Sequence, residues 1–500
     1  MDESASEAAP SVRSFFGSVR VLFRRAGIFD AFGRVGLPAI LGLSALTIAG
    51  AGCKVGPEYV PPEPKREAPP ELSSTETSAA KFAGVTTKPI TPDWWNTLKD
   101  DKLTALVRRS VESNLDLRIA DARVREARAV RGIAFSNLGP QVGFGGGYTR
   151  AGDYSVASGN WNFGFDAAWE IDVFGGNRRA VEAAEADAAA AEESRRDVLV
   201  SLLGEVARNY VELRAAQRQL AIARQNIELA AKNLEIVRGQ KENGLRSDLE
   251  VRQAAGLVET VKATVPRLEA ALRKAAFRLS VLQGREPSAL LSELSEPGPI
   301  PPTPPELPVG LPSELLRRRP DLRRAEREMA AATARLGVAQ SDLLPKFALT
   351  ANVSIDGFYA GPAIKWPVFD TGRILSNIKA TDARLEQATL RYRASVLAAL
   401  EDVEGSLTSY AQEQIRHINL AAAVAEAEEA VRRAEDQYKT GTKDFLVVLD
   451  AQRTLFTARD ELVRSEQASL TFLISVYKAL GGGWDQFEPL PVPPPPAAAK

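Results

Sequence analysis

Residues 161–173 read Trp-Asn-Phe-Gly-Phe-Asp-Ala-Ala-Trp-Glu-Ile-Asp-Val, and their odd and even positions separate by character. Trp161, Phe163, Phe165, Ala167, Trp169, Ile171 and Val173 fall on one side; Asn162, Gly164, Asp166, Ala168, Glu170 and Asp172 fall on the other. A period of two held this long defines a strand, because a helix would scatter the same residues around its circumference. Phe347, Leu349, Ala351, Val353 and Ile355 repeat the pattern against Ala348, Thr350, Asn352 and Ser354. Strands of about 9–11 residues, apolar on one face and polar on the other, suit a membrane barrel with a wet lumen. An ordinary half-buried sheet shows the same alternation.

The stretches around these strands are helical. No proline interrupts the chain between Pro140 and Pro266, or between Pro367 and Pro489. Arg178 to Asn243 predicts one helix roughly 100 Å long. Its apolar positions Leu199, Leu203, Val206, Tyr210, Leu213, Leu220, Ile227 and Leu234 step by fours, threes and sevens, the coiled-coil period. Gly244 is expected to close this helix and a second helix to return to Gly284. In the second half the chain should turn at Gly441 and return to about Leu480.

The chain is written twice. Asp116-Leu117-Arg118-x-Ala120 returns as Asp321-Leu322-Arg323-x-Ala325, and Leu138-x-Pro140 as Leu343-x-Pro345, both at an offset of 205. Val173-Phe174 matches Val368-Phe369 and Arg178 matches Arg373 at 195; Gly244 matches Gly441 and Gly284 matches Gly481 at 197. An ordered series of this kind points to duplication. The drop of ten falls between Pro140 and Val173, so the second hairpin is expected to be the shorter one. A tight connection should follow Ile355, against a longer exposed loop over 150–159. The implied organisation is a signal peptide (1–52), a Pro-rich strap without a packed core (53–92), repeat 1 (93–296, hairpin 141–173), a Pro-rich linker (297–312), repeat 2 (313–484, hairpin 346–369) and a Pro-rich tail (485–500).

Composition excludes most other classes. Sixty-three Lys and Arg oppose 64 Asp and Glu, a net charge of −1, so no basic field gathers nucleic acid. One Cys and one His among 500 residues permit neither an internal disulfide nor a Cys/His metal site. There is no P-loop or dinucleotide fingerprint, and His417 lies in a helical, charged stretch without a nucleophile turn. No enzyme, metal or cofactor is expected. A glycosidase built on two of the carboxylates would have only their abundance in its favour.

The first segment reads as an address. Arg13, Arg20, Arg24, Arg25 and Arg34 precede an apolar run from Val35 to Gly52, which ends on small residues before Cys53. These are the parts of an export signal. Gly50-Ala51-Gly52-Cys53 resembles a bacterial lipobox, with Gly50 where Leu is usual, and marks Cys53 for lipidation. An uncleaved anchor is the alternative. Lys54, being other than Asp, resembles the outer-membrane sorting signal.

Cys53-Lys54-Val55-Gly56-Pro57-x-Tyr59-x-x-Pro62 resembles the N-terminus of the TolC-like outer membrane factors, in their NodT-type lipoprotein branch. Trp94-Trp95, Asn114-Leu115-Asp116-Leu117, Arg319-Pro320-Asp321-Leu322, Trp366-Pro367-Val368-Phe369, Asp450-Ala451-Gln452 and Lys478-Ala479-Leu480-Gly481-Gly482-Gly483-Trp484 extend the likeness over about 54–485. The resemblance implies a mixed α and β homotrimer. Its 12-stranded outer-membrane β-barrel would continue into a long periplasmic α-helical barrel, each chain giving two repeats. It also implies the exit duct of a tripartite efflux system, lipid-anchored in the outer membrane, served by a periplasmic adaptor and an RND-type inner-membrane pump. A periplasmic coiled-coil adaptor, or an anchored structural protein, is the competing class.

The same resemblance assigns sites. The turns Gly244, Leu245, Arg246, Ser247 and Gly441, Thr442, Lys443, Asp444 would face the adaptor, although a purely structural hairpin reads alike. Ser247 and Asp444 are suited to N-capping the helices that follow. Leu446 and Asp450, four apart and so on one helix face, would line a channel constriction. Tyr438 and Lys439 would latch the closed mouth, with Lys where the family more often has Arg and its bidentate fork. His417 reads as a surface residue, and Trp94-Trp95 as packing for the first helix.

Overall fold

The structure, a computed structural model, describes residues 54–63, 72–152, 157–244 and 246–488. The 1–52 signal segment, Cys53, Leu245 and the tail from 489 lie outside the described residues. The chain divides into a sheet unit, centred on 140–176 and 344–367, and a helical unit holding nearly all the rest.

In the sheet unit, β2 (Gln141–Gly152), β3 (Ala157–Ile171), β5 (Lys346–Ser354) and β6 (Gly357–Lys365) form one antiparallel sheet in the order β2-β3-β5-β6. Its register pairs Phe144 with Phe165, Phe165 with Val353, and Val353 with Phe358. Paired residues share a face, so Val142, Phe144, Tyr148, Trp161, Phe163, Phe165, Leu349, Val353, Phe358 and Ile364 all project from one side. The other side carries Gly143, Gly145, Gly147, Asn162, Asp166, Thr350, Asn352 and Ser354. The apolar side is bare: Phe358 is 84% exposed and Phe144 66%. Aromatic pairs run along it, Phe144–Phe165 and Tyr148–Trp161 each at 5.0 Å.

Here one expectation is corrected. The ladder of the first hairpin continues through Arg150↔Gly159 to Gly152↔Ala157, so 150–152 and 157–159 are strand rather than loop. The extra residues of the first copy lengthen its strands. The second hairpin does turn tightly, at Ile355 and Asp356 between Ser354 and Gly357.

The helical unit repeats its elements in the same order. The first half has α1 (Asp101–Ser113), α2 (Leu115–Ser136), the 67-residue α3 (Gly176–Glu242), α4 (Asp248–Lys262) and α5 (Val265–Leu282). The second has α6 (Pro320–Ser341), the 67-residue α7 (Arg373–Lys439) and α8 (Phe445–Ala479). Helix α2 matches α6 in length at 22 residues. Asn114 starts α2 by accepting a hydrogen bond from the Leu117 amide at 2.9 Å.

The single returning helix expected in the first half is instead two, α4 and α5, separated at Ala263–Thr264. Pro266 is the cause: it has no N–H to donate and its ring crowds the carbonyl four residues back. The second half, without a proline there, keeps α8 continuous for 35 residues.

The strap is also more than an extended tether. Leu72, Ala79, Ala83 and Ile90 are buried in the main core with Leu203, Tyr210, Leu473 and Tyr477, next to Trp94, Trp95 and Leu98 just beyond the strap. Val85–Thr86 (β1) pairs in parallel with Leu307–Pro308 (β4), which stitches the strap to the Pro-rich linker. Further upstream, Gly56 has φ +97° and lies so close to Gly337 that a Cβ would come within 2.5 Å of its Cα. Only glycine fits. The buried Arg179 donates to the Gly56 carbonyl at 3.1 Å. The Pro-rich composition concealed these apolar residues, spaced one or two at a time between turns.

Trp94 is 1% exposed and stacks on Tyr477 at 5.1 Å, while Trp95 stacks on Phe487 at 5.6 Å. Replacing Trp94 with Ala should therefore cost about 3–5 kcal/mol. Denaturant unfolding in detergent, followed by helical circular dichroism, checks this; an unchanged midpoint would remove Trp94 from the core.

Candidate functional site

The candidate site is the pair of helical turns at Gly244 and Gly441. At the second, Gly441 takes φ +73°, a left-handed conformation that costs glycine nothing. Its amide donates to the Tyr438 carbonyl at 3.1 Å, and the Thr442 amide reaches the Gln437 carbonyl at 2.9 Å. These two bonds satisfy the terminal carbonyls of α7 in a Schellman arrangement. Gly244, with φ +72°, likewise donates to the Lys241 carbonyl at 2.9 Å.

The two following helices start differently. Ser247 forms a full capping box: its hydroxyl accepts from the Glu250 amide, and the Glu250 carboxylate accepts from the Ser247 amide at 2.9 Å. Asp444 occupies the N-cap position of α8 with extended backbone, yet its side chain makes no capping bond. Only its carbonyl accepts, from the Val447 amide at 3.1 Å. The capping role expected of Asp444 is corrected on that ground: the carboxylate is not turned back onto the α8 amides.

Behind the turns lies one apolar cluster shared by four helices. Leu234 and Val237 come from α3, Leu257 and Val258 from α4, Ala434 and Tyr438 from α7, and Phe445, Val448 and Leu449 from α8. Burying Phe445, Val448 and Leu449 turns the opposite side of α8 outward, with Leu446 58% exposed and Asp450 exposed one turn on. The Asp450 carboxylate meets no cation among the described residues; the ion pairs along α7 and α8 join other side chains, Lys439 with Asp436 and Arg459 with Glu428 among them. Gln452, on the buried side, is fully enclosed and both of its side-chain polar atoms lack a partner.

The structure separates the two residues expected to form the latch. Tyr438 is 5% exposed and its hydroxyl donates to Gln240 Oε1 at 2.7 Å. Its ring leans on Phe445 at 5.2 Å and lies 4.2 Å beneath the Arg246 guanidinium carbon. Burial pushes the phenol pKa up, and the Arg246 charge partly opposes this. Lys439 is exposed and, within the chain, pairs with Asp436 on its own helix at 3.5 Å. Thr442, Lys443 and Asp444 are exposed, as expected of a docking tip, whereas Arg246 is turned toward Tyr438.

Gln240 and the inward role of Arg246 were missed by sequence reasoning. The nearness of Gln240 to Arg246 was there to read, because residues bracketing a helix end by a few positions must lie close once a left-handed glycine folds the chain back; the contact of Arg246 with Tyr438 was not. Among the described residues, no cluster of His, Cys, Asp and Glu could hold a metal ion, and no helix is long and apolar enough to cross a membrane.

The chain as a whole is similar to known proteins. The outer membrane efflux protein family matches residues 106–285 and 311–482, on either side of the Pro-rich linker. The chain is 28% identical over 454 residues to nodulation protein T of Rhizobium leguminosarum bv. trifolii, covering 87% of this chain and 95% of that one. It is 32% identical over 426 residues to the pyoverdine export outer membrane protein OpmQ of Pseudomonas aeruginosa, covering 78% and 87%. The solved outer-membrane channel OprN superposes with a TM-score of 0.80 at 32% identity, over 86% of this chain and 100% of that one.

Proposed function

The chain belongs to the outer membrane efflux protein family, and on that premise we propose that three copies close a single passage through the outer membrane. The protein is an outer-membrane exit duct of an efflux system and not an enzyme. The proposal concerns how it is built and gated.

One observation carries the assembly: the four-stranded sheet has a broad exposed apolar face and two outer strands, β2 and β6, each paired on one side only among the described residues. Four strands fall short of the usual minimum of about eight for a closed membrane barrel. Three chains supply 12 and leave no edge. The apolar face then meets lipid, and the glycines, Asn162, Asp166 and Asn352 line the lumen. The long helices extend the passage across the periplasm, where the Gly244 and Gly441 turns meet an adaptor that joins the duct to an inner-membrane pump of RND type. A coiled-coil adaptor would have no use for a sheet with a lipid-like face.

Cys53 carries the acyl anchor, palmitate included, and its lipid supplements the barrel. Replacing Cys53 with Ser should abolish labelling by radioactive palmitate and leave barrel insertion intact. Failure of the unaltered protein to take up label would remove the lipoprotein assignment.

Leu446 and Asp450 line the periplasmic constriction, one of each per chain. Three carboxylates around a narrow axis favour cations and repel one another, less so as salt screens them. On SDS gels the purified protein should run as a heat-modifiable trimer, and in planar bilayers it should conduct. Asp450→Ala should lower its cation-over-anion selectivity and blunt block by multivalent cations. Absence of conductance would refute the duct assembly; unchanged selectivity in Asp450→Ala would place that carboxylate away from the axis.

A further inference from the structure

The two hairpin tips of one chain come from opposite halves of the sequence, and below them the shared cluster is apolar. Apolar packing is not directional, so helices that share only such contacts can slide against one another at modest cost. What fixes two tips is polar geometry, and little of it crosses this junction. Among the described residues, the polar contacts between segments 238–252 and 436–450 are those of Tyr438 with Gln240 and Arg246. The cross-repeat bonds nearest to them, Arg459 to Asn226 at 3.4 Å and Gln219 to Asp460 at 3.1 Å, lie turns away along the helices.

Arg246 is the centre of that group. Its guanidinium carbon stands 4.2 Å from the Tyr438 ring centroid. Its Nε donates to Gln240 Oε1 at 3.4 Å, the oxygen that also takes the Tyr438 hydroxyl. Glu250 holds its far side at 3.7 Å. The Arg246 side chain is 23% exposed, against 66% for Lys439. The capping box fixes Ser247 and Glu250, so the backbone that carries Arg246 is itself anchored.

We propose that Arg246 is the positioning residue of the gate. Held by Gln240 and Glu250, it clamps the Tyr438 ring and so ties the first-repeat tip to the second-repeat tip, a partnership the family resemblance had given to Tyr438 with Lys439. This rests on the duct reading above. Any widening of the mouth that swings α7 and α8 away from α3 and α4 must lift the Tyr438 ring from beneath the guanidinium. It must also break the Tyr438 hydroxyl bond to Gln240; the rest of the junction resists only through apolar contact. Lysine at position 246 would keep the charge but lose the planar face and the Nε donor.

Single-channel recording in planar bilayers tests this. Arg246→Met should raise the open probability of the isolated duct about threefold to thirtyfold, the range expected for a partly buried cation–π contact. Arg246→Lys should fall between Arg246→Met and the unaltered protein. Tyr438→Leu should open the duct as well, and the double variant should open no further than the larger single effect. Lys439→Ala should gate as the unaltered protein does. The proposal is overturned if Arg246→Met stays closed, if the two single effects multiply in the double variant, or if Lys439→Ala alone opens the mouth. If Arg246→Met fails to give heat-modifiable trimers, Arg246→Lys and Gln240→Ala read the same contacts, and unaltered gating in both would overturn it. An unaltered protein that does not conduct would instead refute the duct reading.

Discussion

A strand at the edge of a sheet must find hydrogen-bond partners, and this demand governs the molecule. The outer strands β2 and β6 each carry a row of backbone donors and acceptors that no described segment of the chain meets. In water such a row is solvated; in lipid each unmet group costs several kcal/mol. The same four strands expose an apolar face that water disfavours and lipid does not. The two requirements are met together only when copies of the chain join edge to edge. The proposed trimer answers both requirements before any property of the helices is considered.

The helical unit solves a different problem. Two halves of one sequence must form a common body without becoming interchangeable. Identical lengths for α3 and α7 keep the tips level, whereas the chemistry of each half diverges. Pro266 breaks the returning helix in one half only, and the capping box is present at one tip only. Buried charge adds specificity at the junctions. Arg319 is buried between Asp321 at 2.8 Å and Asp402 at 3.2 Å and also donates to the Ala479 carbonyl at 2.8 Å. Those contacts hold the guanidinium pKa up despite burial and the Asp321 pKa down. Removing one partner of such a group costs more than the group's net contribution, because it strands a buried charge.

Much of this was legible in the sequence for a physical reason: both signals were periodic. The alternation from Trp161 to Val173 and the seven-residue spacing from Leu213 to Leu234 integrate over many residues, and each predicted its element. Strand β2 was harder to read because Gly143, Gly145 and Gly147 occupy its polar face, which hides alternation behind apparent turn composition. The strap was misread for a related reason. Its buried residues are few, and their partners stand hundreds of positions away. At the tips, the turns and the exposure of Leu446 and Asp450 followed from glycine and helix phase, but the Arg246–Tyr438 contact did not. It joins residues almost 200 positions apart, and a single pair leaves no period to detect.

The stacking of Trp94 on Tyr477 and of Trp95 on Phe487 also dictates an order of events. Helical hairpins are local and can form as soon as their residues are available. Trp94 and Trp95, by contrast, lack their aromatic stacking partners until nearly the last described residues arrive. Contacts of this span raise the contact order and slow the final step. A chain cut short at its C-terminus would leave the two indole rings without these partners and part of the main core exposed. That is the kind of surface on which chaperones and proteases act. The aromatic lid thus makes completeness of the polypeptide a condition of burial, and a truncated chain advertises its own defect before it can be assembled with intact ones.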